Sequence, residues 1–153
     1  MLCDRKAPVQ VKGRLYKTMV RPAMLYGMES LPLTKKEEQK MEVAEMKMLR
    51  FTYGVTKMDQ VRNEVVRGKL QVGEFSGKVR ERRLQWKGHV LRREQEYVGK
   101  RVQRMSVGKR KKGRPRRRWR DCVKEDMEVV GVREEDAMDR GRWRRLVHTG
   151  NPT

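Results

Sequence analysis

The chain has 153 residues, room for one domain, and its 40 Lys and Arg against 20 Asp and Glu set a net charge of +20. Such a field favours phosphate-rich partners over an anionic membrane, and no apolar run is long enough to span a bilayer, nor is a signal peptide visible at the start. Only 31 residues are Leu, Val, Ile or Phe, which is about the border below which a highly charged chain stays disordered. The expected fold class is therefore all-α: a loosely packed helical bundle or set of hairpins with a basic flexible linker.

Residues 12–28 carry Leu15, Tyr16, Met19, Val20, Ala23 and Met24 at roughly helical spacing. Pro22 is expected to kink or interrupt this helix and Gly27 to end it. Leu31-Pro32-Leu33 reads as an extended connector. Thr34-Lys35-Lys36-Glu37 then has the capping-box pattern, in which Thr and Glu satisfy free N–H groups reciprocally. Behind it Met41, Ala44, Met48 and Phe51 fall on one stripe, with Val43 and Leu49 nearby. Glu38, Glu42 and Glu45 are expected to keep the other face wet, and Tyr53-Gly54 to close the helix. A short helix is expected from Asp59, as N-cap, to Gly68, with Val61, Val65 and Val66 apolar. This pair of helices has the outline of a helix-turn-helix, but any helical hairpin gives that outline, and simple packing is the expectation.

Residues 76–93 predict a further helix, with Val79, Leu84, Trp86, Val90 and Leu91 on its buried side. Lys78, Arg80, Arg82, Arg83, Lys87, Arg92 and Arg93 crowd the remainder. Trp86 is expected in the core rather than as a base-stacking platform. Residues 97–118 show little periodicity and contain Gly99, Gly108 and Gly113, which predicts a mobile basic linker. A helix from about Arg117 to Val130 follows, with Trp119, Val123, Met127 and Val130 on one face and Gly131 as its stop. The last helix starts at Glu134-Glu135-Asp136 and ends with Arg144-Arg145, charges suited to its two ends. Ala137, Met138, Trp143, Leu146 and Val147 are expected to pack against the preceding helix. The organisation expected is a helical region over 1–72, a basic amphipathic helix over 73–96, a basic linker over 97–118 and a C-terminal hairpin over 119–153.

Charge is uneven along the chain. Residues 78–120 hold 19 basic and 3 acidic side chains, while residues 121–153 hold 6 and 8. The densest run is Lys109-Arg110-Lys111-Lys112-Gly113-Arg114-Pro115-Arg116-Arg117-Arg118-Trp119-Arg120. It cannot be core, because each buried cation needs a partner and the run supplies none. Its extended Gly-Arg-Pro flanked by cations resembles an AT-hook core, whose arginines lie along a narrow minor groove. The plainer alternative is a solvated linker that also serves as a nuclear-import signal, since Lys109-Arg110-Lys111-Lys112 fits a basic import tetrad. Candidate nucleic-acid contacts are thus Lys109, Arg110, Lys111, Lys112, Arg114, Arg116, Arg117 and Arg118, with Arg83, Lys87 and Arg93 as a second surface.

Catalytic patterns are not evident. No Asp-Asp pair, Gly-rich phosphate loop or G-x-S-x-G occurs. Cys3 and Cys122 are far apart and form no ligand spacing with His89 or His148, so neither a disulfide nor a metal site is expected. No cofactor and no small-molecule substrate are expected.

Leu15-Tyr16-Lys17-Thr18-Met19-Val20-Arg21-Pro22-Ala23-Met24-Leu25-Tyr26-Gly27-Met28-Glu29 resembles the stretch just after the palm of reverse transcriptases from non-LTR retrotransposons, in particular the RTE-like (BovB-like) group. Further blocks resemble that family's thumb in the same order: Val43-Ala44-Glu45-Met46-Lys47-Met48-Leu49-Arg50, Gly54-Val55-Thr56, Arg62-Asn63-Glu64 and Arg83-Leu84-Gln85-Trp86-Lys87-Gly88-His89-Val90. Gly113-Arg114-Pro115 followed by Trp119-Arg120-Asp121 is similar to its C-terminal segment. The family's Tyr-x-Asp-Asp active site would lie before Met1, so the resemblance carries no catalytic residue over. It implies a helical thumb and a basic element that help hold DNA or RNA. The expected function is non-catalytic nucleic-acid binding in the nucleus, mainly through phosphates. The alternatives are a decayed open reading frame with no selected activity, and a subunit acting in trans with a separate palm.

Overall fold

The computed structural model describes residues 6–105, 113 and 117–148. Among these residues the chain is all-α, with no strand. They fall into two compact units. The first is built from the described residues up to Met28 together with Thr34–Val79, and the second from Glu29–Leu33 with the described residues of Arg80–His148.

In the first unit, α1 (Val9–Leu15) begins right after Pro8 and passes through a π-helical turn, Tyr16–Val20, into α2 (Arg21–Leu25). Pro22 explains the turn. It has no N–H to give to a carbonyl one turn back, so the preceding backbone widens and Arg21 N–H reaches Tyr16 O, five residues earlier. The helix is re-registered rather than broken, and Gly27, with φ +76°, turns the chain away as expected.

Helix α3 (Lys35–Tyr53) opens with the predicted capping box. The Thr34 N–H donates to Glu37 Oε2 at 2.8 Å, and the Glu37 N–H donates to Thr34 Oγ1 at 3.3 Å. The first of these bonds, then the Thr34 hydroxyl, hold the Glu37 carboxyl below its ordinary range. Gly54 in the left-handed conformation ends the helix.

The buried stripe of α3 differs from the expected one. Glu45, Met46, Leu49 and Thr52 face inward, while Phe51 is exposed. Glu45 turns in because two cations meet it there. Arg21 Nε lies 3.1 Å from Glu45 Oε1, and Arg67 NH1 lies 2.8 Å from Glu45 Oε2. The Tyr16 hydroxyl donates to Glu45 Oε1 at 3.3 Å. Burial first, and then the Glu45 charge, push the Tyr16 phenol well above its ordinary value, so it stays a donor. Burial also lowers Arg21, against the pull of Glu45. Arg21 and Arg67 both donate to the carbonyl of Gly73.

Helix α4 (Asn63–Leu70) starts three residues later than expected, with Arg62 rather than Asp59 at its N-cap. Asp59 does not cap it: its carboxylate accepts from Thr56 N–H at 2.6 Å and Thr56 Oγ1 at 2.9 Å, closing a turn instead. Gly68 lies inside the helix, and Gln71 at φ +54° supplies the left-handed stop. Continuing past Gly68 places Leu70 one turn beyond Val66, and both enter the core with Tyr16, Met46, Leu49 and Val72. Helix α1 packs on α4 through Gly13, where a Cβ would run into the backbone of Leu70.

Helix α5 (Phe75–Leu91) gives residues 75–79 to the first unit and the rest to the second. The second unit also holds α6 (Val98–Arg104), α7 (Trp119–Val130), a 3-10 turn at Glu134–Met138 and α8 (Arg140–Val147). Helix α6 corrects the linker expected to begin at residue 97, since its seven residues, about two turns, are too few to show periodicity. Val123, Val132, Ala137, Trp143 and Val147 form one core with Leu84 of α5, and Trp119, Met127 and Val130 pack against it. Met138 and Leu146 are exposed instead. Gly88 has no Cβ where the Trp143 indole lies, and Trp143 Nε1 donates to Leu84 O at 3.0 Å. Gly131 ends α7 in the left-handed conformation. The expected helix at Glu134 is split: Asp139 accepts the N–H groups of Gly141 (2.8 Å) and Arg142 (3.0 Å) and so caps α8. Residues Glu29–Leu33, of which Glu29 and Ser30 belong to a 3-10 turn (Met28–Ser30), are tied to α7 by Trp119 Nε1, which donates to Glu29 O at 2.7 Å.

Candidate nucleic-acid interface

The six candidates Lys109, Arg110, Lys111, Lys112, Arg114 and Arg116 lie outside the described residues. The other five belong to the second unit, and the structure separates them.

Arg83 faces inward. Its side chain is 1% exposed, and its Nε lies 3.1 Å from Asp126 Oδ2 on α7. Arg80 approaches the other oxygen of Asp126 at 3.6 Å. This corrects the placing of Arg83 on a phosphate-facing surface: its charge is held by an acid of the same unit. Lys87 is half committed in the same way, with Nζ 2.9 Å from Glu134 Oε1 and 3.4 Å from Gln103 Oε1. Arg117 turns back onto α7, where NH2 lies 2.6 Å from Glu125 Oε2 and Nε 3.0 Å from Cys122 Sγ. Arg118 is exposed at the start of α7, its backbone N–H donating to Asp121 Oδ2 at 3.0 Å. Arg93 is exposed at the end of α5.

Cations the sequence reading did not single out gather elsewhere in the same unit. A cavity of about 1260 Å³ is lined by Lys100 and Arg104 of α6, Arg120 and Lys124 of α7, and Arg133 after it, with Lys87 on its α5 side. Glu128, Glu134 and Glu135 also line it, so cations outnumber acids there by six to three. Trp119, Met127 and Leu91 supply apolar wall. Helix α6 brings two of these cations in, and the sequence showed no pattern by which to find it. The Arg104 side chain is steadied by Gln95, to which its NH2 donates.

Trp86 is the other departure. It was expected in the core, yet it is 38% exposed. Its ring stacks on His89, with centroids 5.5 Å apart and planes 18° from parallel. His89 meets Tyr97 edge-on at 6.0 Å, and the Arg93 guanidinium lies 5.7 Å from the centre of the Tyr97 ring. Trp143 occupies the core position instead, entering beside Gly88.

Among the described residues, no group of three or more His, Cys, Asp or Glu stands close enough to hold a metal ion. No helix there is long and apolar enough to cross a membrane. Cys122 is a buried free thiol.

No protein-family model matches the chain, and no solved structure matches it. The chain is similar to an uncharacterized transposon-derived protein of Caenorhabditis elegans, with 27% identity over 150 residues. The match takes in 88% of this chain and 53% of that protein, so the chain spans about half the length of the relative. The similarity is therefore to a transposon-derived sequence, in keeping with the broader part of the resemblance drawn from the residues.

Proposed function

We propose that this chain derives from the thumb and C-terminal segment of a non-LTR retrotransposon reverse transcriptase of the RTE-like kind, and that it binds nucleic acid without catalysing a reaction. The order of the resembling blocks, from Leu15-Tyr16 through Trp119-Arg120-Asp121, supports the derivation, as does similarity to a transposon-derived protein. The observation that carries the binding reading is the charge of residues 78–120, 19 basic against 3 acidic. Among the described residues of that stretch, Asp126 meets Arg80 and Arg83, Glu125 meets Arg117, and Glu134 meets Lys87.

The contacts proposed are Lys109, Arg110, Lys111, Lys112, Arg114 and Arg116, with exposed Arg118 and Arg93, and with Lys100, Arg104, Arg120 and Lys124 around the cavity. Such contacts fix position and carry little sequence information, so specificity is low. The import-like tetrad Lys109-Arg110-Lys111-Lys112 supports a nuclear location. Binding of a duplex and of a single strand at 50 and 200 mM salt tests the reading. Six or more phosphate contacts predict a loss of roughly a thousandfold between the two conditions. A salt-independent affinity, or none at low salt, refutes it.

A further inference from the structure

We infer that Trp86, His89 and Tyr97, with Arg93, form a stacking platform for unpaired nucleobases, so that the preferred partner is single-stranded nucleic acid. The inference rests on the phosphate-binding reading above and specifies its ligand.

Three planar side chains here touch one another outside the core, Trp86 exposed and His89 and Tyr97 half-buried. His89 lies about one turn beyond Trp86 on α5, and Arg93 follows in the bend just past the end of that helix. Tyr97, in the loop before α6, joins them. Tyr97 keeps its place because Gly99 has no side chain: a Cβ there would meet Tyr97 Cε1 at 2.7 Å and Val90 Cγ2 at 3.3 Å. The Trp86 indole keeps 38% of its surface in water while stacking on His89.

A flat aromatic surface accepts any base, since every base has a π-face, and it does so only when the base is free of its own pair. The setting fits a nucleic-acid strand. Over residues 82–104 the chain has eight Lys and Arg against two Glu. Arg93 is suited to two tasks: its guanidinium lies against the Tyr97 ring and donates from Nε to His89 Nε2 at 3.4 Å, and the exposed side chain can meet a phosphate. A duplex would find the cations but not the rings, because its bases are already stacked.

The test compares three ligands of equal length by fluorescence anisotropy on the full chain: an oligo-dT strand, the same strand made abasic, and a duplex. The abasic strand keeps the phosphates and removes the bases. The expected result is roughly tenfold weaker binding of the abasic strand for each base stacked. Trp86→Ala should lose a similar factor on oligo-dT and nothing on the duplex, and Trp86→Phe should recover most of it. Equal affinity for normal and abasic strands overturns the inference while leaving phosphate binding intact. Oligo-dT binding unchanged in Trp86→Ala does the same. If neither the normal strand nor the duplex binds at low salt, the underlying reading fails as well. Stronger Trp86-dependent binding to vesicles containing phosphatidylserine than to oligo-dT would assign the rings to a membrane and overturn the inference.

Discussion

Arg83 and Asp126 meet at 3.1 Å, an arginine 1% exposed on α5 against an aspartate on α7. The pair ties one of the most cationic helices of the chain to its C-terminal hairpin, and it explains why a residue that reads as a surface cation is not one. Breaking such a pair by removing one partner leaves a charge stranded in a poorly solvated place. Asp126→Ala is therefore expected to destabilise the second unit by about 3 kcal/mol or more. Arg83→Met, which fills the volume without a charge, should cost less on its own. Together with Asp126→Ala it should recover part of the loss. Urea unfolding of the single and double variants checks this, and additive losses would contradict a coupled pair.

Glu45 holds the same kind of position in the first unit, with Arg21, Arg67 and Tyr16 around it. Glu45→Ala strands two buried guanidiniums and is expected to cost about 3–5 kcal/mol. Tyr16→Phe removes one hydrogen bond and should cost about 1 kcal/mol. Denaturant midpoints of the two variants measure the difference. Equal effects would mean that the carboxylate is not the hub of the cluster.

Two glycines are predicted to resist substitution for reasons of space. At Gly13 an added Cβ meets the Leu70 backbone, which cannot move aside, and at Gly88 it meets the Trp143 indole. Each Gly→Ala change, which would stabilise an open helical site, is expected here to lower stability by about 1–3 kcal/mol. Gly68, with open space around it, serves as the control: Gly68→Ala should be neutral or mildly stabilising. Thermal melts by circular dichroism report all three. A cooperative transition in the parent chain is also what a retained fold predicts, whereas gradual loss of helix signal would favour a decayed reading frame.

Three exposed carboxylates contribute to the acid limit. Glu37 is lowered by the Thr34 backbone N–H, Asp59 by that of Thr56, and Asp139 by that of Arg142 and then of Gly141. A folded value below the unfolded one adds stability above the unfolded value, and that stability is lost as pH falls through the folded value. Melting temperature should therefore hold from neutral pH down to about pH 5 and decline below about pH 4. The triple variant Glu37→Gln, Asp59→Asn, Asp139→Asn should melt lower at pH 7 and show a flatter decline in acid. An unchanged acid slope would contradict the assignment.

Features that are local in the chain were legible before any coordinates. The Thr34/Glu37 box, the glycine stops at Gly54 and Gly131, and the stripe Trp119, Val123, Met127, Val130 each depend on neighbours within a few residues. Features that depend on distant partners were not. Glu45 looks like a solvated acid until Arg21 and Arg67, both more than twenty residues away, are brought to it. Arg83 looks like a phosphate ligand until Asp126 arrives from α7. Trp86 and Trp143 are equally apolar as letters, yet Trp143 is buried where Gly88 leaves room for its indole and Trp86 is 38% exposed. Helix α6 was hidden by its length. The candidate site shifted accordingly, from Arg83 and Lys87 toward Arg93 and the cations of α6 and α7.

The central claim is that fixed cations in the middle of the chain bind nucleic-acid phosphates, and its most direct measurement is the slope of log affinity against log salt for the full chain on single-stranded DNA. Replacing Lys112, Arg114 and Arg116 with Gln should leave the melting temperature unchanged. It should make the slope shallower by about 2, since each lost phosphate contact removes roughly 0.7 on a single strand. A slope near zero in the parent chain, or the same steep slope after the three replacements, would contradict the account.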